Sequence, residues 1–214
     1  MIEKLIEEFA QSYTFDAIEN KEFDSFKVNG MDFEVKAYDA QFLGRVSSMK
    51  GKMKFGLMKM ETLIVNPLEL DVPLFSLDLI QVPGKLIVIL EQYDTLVNAK
   101  RNESVFLNIK EKYEYLEDHP SKSAWYDELR YSSSIGKKVS KKKADRVKEM
   151  IEEYFEAYLD LCRDARVIEK EEKKVKADLY RDGLLENGGA STDSFLKAWG
   201  KEKTERFFKE VLFG

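Results

Sequence analysis

The sequence predicts an α+β fold: a central antiparallel sheet first, helices afterwards. Three observations predict it. Between residues 26 and 93 short apolar runs alternate with turn signals, and consecutive hairpins build an antiparallel sheet. After Tyr93 the apolar spacing becomes helical, and strands followed by helices is the α+β order. The runs at 63–65, 77–80 and 86–90 are apolar on both faces, as in a sheet covered by helices on both sides.

Residues 2–13 read as a helix because Ile2, Leu5, Ile6 and Phe9 share one face. Residues 26–35 read as a hairpin around Asn29-Gly30, a pair suited to the positive φ of a tight hairpin turn. A second hairpin is expected from 42–49 and 53–65, turning across Lys50-Gly51-Lys52. The loop NPLELDVP, 66–73, leads to a third hairpin, 74–93. Its turn is Pro83-Gly84, where Pro presets φ at the first central position and Gly supplies positive φ at the second. Helical spacing follows at 95–115, an irregular stretch at 121–135, and one long charged helix at 139–176. The apolar stripe of that helix is Met150, Ile151, Tyr154, Tyr158, Leu159 and Cys162. Asn187-Gly188-Gly189 breaks the pattern. Two short helices follow, through Phe195, Leu196 and Trp199 and through Phe207, Phe208, Val211 and Leu212.

The 214 residues suit one domain, 1–214, with a real core. No apolar run approaches the ~20 residues of a membrane helix, and the acidic, amphipathic N-terminus lacks the features of a signal peptide. The expectation is a cytoplasmic monomer with no membrane partner. Cys162 is the only cysteine and His119 the only histidine, which excludes an internal disulfide, a four-thiolate cluster and a Cys/His metal site. A Ser-His-Asp centre would need His119, beside Pro120 in a polar segment. The net charge of −5 and the lack of an aromatic RNA-binding motif argue against nucleic acid. No dinucleotide fingerprint or P-loop is present, so redox chemistry here would take its electrons from outside. Lysines cluster at 137–148 (KKVSKKKADRVK) and recur at Lys170, Lys173, Lys174 and Lys176. They read either as solvated helix faces or as a docking patch for an acidic partner.

Asp78 interrupts an apolar strand. With Val82 and Lys85 flanking the turn, it lies opposite Ile89, with Ser76, Ile80, Ile87 and Glu91 on the same face. A carboxylate among such neighbours is poorly hydrated, so its proton is held more tightly. An acid protonated near neutral pH can donate to a bound substrate.

The segment Asp71-Val72-Pro73-Leu74-Phe75-Ser76-Leu77-Asp78-Leu79 resembles the ferredoxin-dependent bilin reductases, whose stretch LPLFG-x-D-[LIV] carries a proton-donating aspartate. The ending FLKAWGKEKTERFFKEVLF, 195–213, the region 125–138 and the strand 38–45 resemble the same family. The resemblance implies a three-layer α/β/α sandwich around an antiparallel sheet. It also implies reduction of a linear tetrapyrrole such as biliverdin, with no cofactor bound in the chain and reduced ferredoxin, an acidic iron–sulfur protein, as external donor.

On that resemblance Asp78 is the catalytic acid. Glu61 stands where one branch of the family has a histidine, and reads either as a second acid or as a partner of Lys59. Ser48, Ser76 and Ile87 are candidate substrate contacts, and Lys137 falls where the family's propionate-gripping arginine stands. The family's C-terminal aspartate falls on Gly189, with Asn187 and Asp193 nearby; those two read equally as helix caps.

Overall fold

The computed structural model describes residues 1–120, 123–189 and 191–214. Ser121 and Lys122, at the start of the stretch expected to be irregular, lie outside the described residues. The architecture is mixed α+β on an eight-stranded sheet whose pairings are all antiparallel. The strands are β1 (Phe15–Ile18), β2 (Ser25–Val28), β3 (Met31–Ala40), β4 (Gly44–Met53), β5 (Lys59–Pro67), β6 (Leu74–Val82), β7 (Lys85–Tyr93) and β8 (Ile135–Ser140). Their spatial order is β1-β3-β4-β5-β6-β7-β8, with β2 on the other end of β3. The helices are α1 (Ile2–Ala10), α2 (Ser104–Lys112), α3 (Ala144–Arg163), α4 (Lys170–Asn187), α5 (Thr192–Trp199) and α6 (Lys201–Arg206). α6 runs on into a wider π-helical turn, Phe207–Leu212.

The two faces of the sheet support separate cores. On one, Val46, Leu63, Val65, Phe75, Leu77, Val88 and Leu90 pack against α1 and α3, whose apolar faces include Phe9, Phe155 and Tyr158. Phe75 stacks on Tyr158 at 4.9 Å, and the Tyr158 hydroxyl donates to the Pro73 carbonyl at 2.8 Å. On the other, Phe33, Val35, Met49, Ile64, Leu74 and Tyr93 pack against α4, α5 and the π-helical turn through Tyr180, Leu184, Phe195, Phe207, Phe208 and Leu212.

Several elements differ from the sequence reading, which has no strand at β1. The β4–β5 hairpin turns at Lys54–Gly56, and Lys50-Gly51-Lys52 is strand. Gly51 serves packing here: a Cβ on it would lie 2.6–2.9 Å from Met31, Phe33 and Met60. Within 95–115 only α2 is helical; the preceding loop is fixed instead by Asp71, whose carboxylate accepts the backbone N–H groups of Val97, Asn98 and Ala99 at 2.6–2.8 Å. Burial works against that charge, but the three N–H groups outweigh it and hold the carboxyl below its usual range. The long helix expected at 139–176 is divided: the end of β8, a 3-10 turn at Lys141–Lys143, then α3, then α4 after a break. Lys173, expected in a basic surface, is fully buried in α4, where it donates to the Val72 and Thr95 carbonyls at 2.6 and 2.7 Å.

Candidate active site

The Pro83-Gly84 turn, with Gly84 at φ 75°, sets the β6–β7 register from Val82 opposite Lys85 to Asp78 opposite Ile89, as expected from the sequence. On the next strand Asp78 faces Thr62. The Thr62 hydroxyl donates to Asp78 Oδ1 at 2.5 Å. Both line a cavity of about 130 Å³ between the sheet and the C-terminal helices. Met49, Ile64, Leu74 and Ser76 line it from the sheet and Glu91, Tyr93, Tyr126 and Tyr180 from one side, and Leu184, Phe195, Phe208, Leu212 and Phe213 are among the residues that line the rest. Burial in this apolar setting raises the Asp78 pKa to about 6; the Thr62 hydrogen bond opposes the shift and the nearby Glu91 adds to it. The arrangement can therefore present a carboxylic acid, still partly protonated near neutral pH, to a ligand.

An apolar cavity of ~150 Å³ admits one benzene ring, so this cavity has the volume of a single ring. Beyond Asp78, toward the β6–β7 turn, the same face continues as Ile80, Ile87 and Ile89, half-buried and in neither hydrophobic core. Among the described residues they form an apolar shelf that no helix packs against as core. A separate groove of about 860 Å³ at the β4–β5 turn is lined by Lys50, Lys52, Lys59, Glu61 and Phe55 and does not include Asp78.

A family model of the ferredoxin-dependent bilin reductases matches residues 29–214. The chain belongs to the ferredoxin-dependent bilin reductase family. These enzymes are oxidoreductases that draw electrons from ferredoxin. Among solved structures, selenomethionine phytochromobilin synthase from tomato in complex with biliverdin has a similar fold, with a TM-score of 0.76 at 13% identity. The match covers 97% of this chain and 79% of that one. No curated protein sequence matches the chain.

Against the bilin reductase pattern, the structure divides the residues singled out from sequence. Asp78 and Ser76 line the cavity, and Ile87 lies on the adjoining shelf. Glu61, Ser48 and Lys137 do not join them. Each lies on the other face of its strand, because each is one position out of step with the rung that faces Asp78. Counting seventeen residues back from the aspartate lands on Glu61, while the residue facing it is Thr62. The Lys137 amine is buried and donates to the Leu116 carbonyl and the Asp118 carboxylate at 3.0 and 2.6 Å. Asn187 ends α4 and Asp193 accepts the Gly189 N–H at 3.3 Å, so both shape the α4–α5 turn at the edge of the cavity. Neither lines it.

Thr62, Tyr93, Tyr126 and Tyr180 were not singled out from sequence. Thr62 had a signal in strand parity, since it is the even-numbered neighbour of Glu61 once the register is fixed. The tyrosines had none, because three separate elements bring them together.

Proposed function

We propose that this chain reduces a biliverdin-type linear tetrapyrrole, on a three-layer α/β/α sandwich, with single electrons from ferredoxin and a proton from Asp78. The observation that carries the proposal is a carboxylic acid with a raised pKa in an apolar cavity, at the inner edge of an apolar shelf. One pyrrole ring occupies the cavity beside Asp78, and the remaining rings extend over Ile80, Ile87 and Ile89. The first electron makes the pigment basic. The Asp78 O–H bond then breaks as a new bond to hydrogen forms on the pigment, leaving a carboxylate. Ser76 and Ile87 are proposed contacts, while Asn187 and Asp193 hold the turn above. The exposed Lys141, Lys142 and Lys143, at the end of β8, fit an acidic electron donor better than the buried Lys137 and Lys173.

The test is anaerobic incubation with biliverdin, reduced ferredoxin and a reducing system, followed by absorbance. A spectral shift on binding and a second on reduction are expected; no product would sink the proposal. A second reading, a non-catalytic bilin-binding protein, draws on Glu61 and Gly189 at the positions where relatives have a histidine and an aspartate. Tight visible-band binding without turnover would favour it.

A further inference from the structure

The cavity carries a second set of ionisable groups beyond Asp78. Glu91 lies two positions along β7 from Ile89, the residue opposite Asp78. Its Oε2 accepts from the Tyr93 hydroxyl at 2.5 Å, and its Oε1 accepts from Arg130 Nη1 at 3.0 Å. Arg130 also bonds Asp127 Oδ1 at 2.7 Å, which fixes the guanidinium against the cavity wall. The Tyr93 ring is buried, tilted against Tyr180 with centroids 4.2 Å apart and met by the edge of Tyr126 at 5.6 Å. The ionisable residues lining the cavity are Asp78, Glu91, Tyr93, Tyr126 and Tyr180. Among the described residues no lysine or histidine lines it, and the position of the family's C-terminal acid holds Gly189.

A two-electron reduction consumes two protons, and Asp78 holds one. We propose that Tyr93, backed by Glu91 and Arg130, delivers the second. This rests on the reading of the chain as a bilin reductase. After Asp78 has given its proton, a second ferredoxin gives up one electron and the pigment becomes an anion. The anion takes the Tyr93 hydroxyl proton: the tyrosine O–H bond breaks and the second new bond to hydrogen on the pigment forms. The phenolate left behind lies beside the Arg130 guanidinium, and Glu91 returns a proton to it from solvent. Tyr93 is the catalytic residue of this step; Glu91 and Arg130 are positioning residues. The groups around Tyr93 are Glu91 on its own strand, Tyr180 on α4, and Tyr126 and Arg130 from the segment after α2; Asp78 lies four rungs away on the same face of the sheet.

Tyr93→Phe and Glu91→Gln, each nearly isosteric, test it in anaerobic turnover followed by absorbance and electron paramagnetic resonance. Both variants are expected to bind biliverdin within about twofold of the parent and to form the one-electron radical normally. Tyr93→Phe then loses product formation about 100-fold, as expected for removal of a proton donor. Glu91→Gln slows product formation and changes its pH profile, which a purely structural ion pair would leave alone. Asp78→Asn stalls one proton earlier. Normal product formation by Tyr93→Phe overturns the inference; if that variant fails to fold, normal turnover by Glu91→Gln overturns it. A parent chain that forms neither radical nor product defeats the bilin reductase reading itself, a distinct outcome.

Discussion

Asp78 is costly to the fold in the form that fills solution at neutral pH. An unfolded aspartate titrates near ~3.9, and in the cavity this one titrates at about 6. The folded chain therefore holds the proton more tightly, and stability from this group is fully present below pH ~4 and lost as pH rises from ~4 to ~6. Asp78→Asn is expected to melt several degrees higher at pH 8, by about 3 kcal/mol of stability, with little gain at pH 4. Equal melting shifts at both pH values would contradict this. Thr62→Val removes a donor that favours the charged carboxylate, so the acid persists to higher pH. The alkaline limb of the turnover profile should move up by roughly half to one pH unit. At this scale the sequence made Asp78 and its register legible, because a Pro-Gly turn admits few alignments. It misplaced Glu61, Ser48 and Lys137, because a slip of one residue in a strand exchanges the faces of the sheet.

α4 is held above the cavity by a close approach that only glycine allows. A Cβ on Gly183 would come within 3 Å of the Trp125 ring at three atoms, and Trp125 Nε1 donates to the Gly188 carbonyl at 3.0 Å. Gly183→Ala is therefore expected to cost about 1–3 kcal/mol by overpacking. It should also shift Trp125 emission to the red and weaken biliverdin binding; unchanged melting and emission would refute the account. The sequence disclosed the elements that have local turn chemistry or clean periodicity. Asn29-Gly30 and Pro83-Gly84 marked their hairpins, and the stripe from Met150 to Cys162 marked α3. β8 stayed hidden because IGKKVS carries a lysine on each face, and only tertiary partners reveal that one of them, Lys137, is buried.

The whole molecule assigns its two faces different work. The face under α1 and α3 is filled by aromatic and aliphatic side chains, while the face under α4 and α5 keeps a cavity and, among the described residues, a half-buried apolar shelf outside both cores. Ile80, Ile87 and Ile89 are the half-buried apolar continuation of that cavity. Net charge is −5, so attraction to an acidic donor depends on local clusters of lysine rather than on the overall field. Changing Lys141, Lys142 and Lys143 together to Glu should raise the KM for ferredoxin about tenfold at low ionic strength and leave biliverdin affinity unchanged. The difference should shrink with added salt. An unaltered KM would place the donor elsewhere.

The C-terminal π-helical turn is stapled to the sheet face. Arg45 Nη1 donates to the Glu210 and Val211 carbonyls at 2.6 and 3.0 Å, Ser47 to the Leu212 carbonyl at 2.9 Å, and Asn66 Nδ2 to the Phe213 carbonyl at 2.7 Å. Ser191, Thr192, Phe195, Phe208, Leu212 and Phe213 supply much of the cavity lining. During synthesis the sheet can pair and bury its α3 side while those residues are still inside the ribosome. A chain halted before residue 207 would keep the core under α3 yet lack Phe208, Leu212 and Phe213, so the recess beside Asp78 takes shape only once these residues have docked on the sheet.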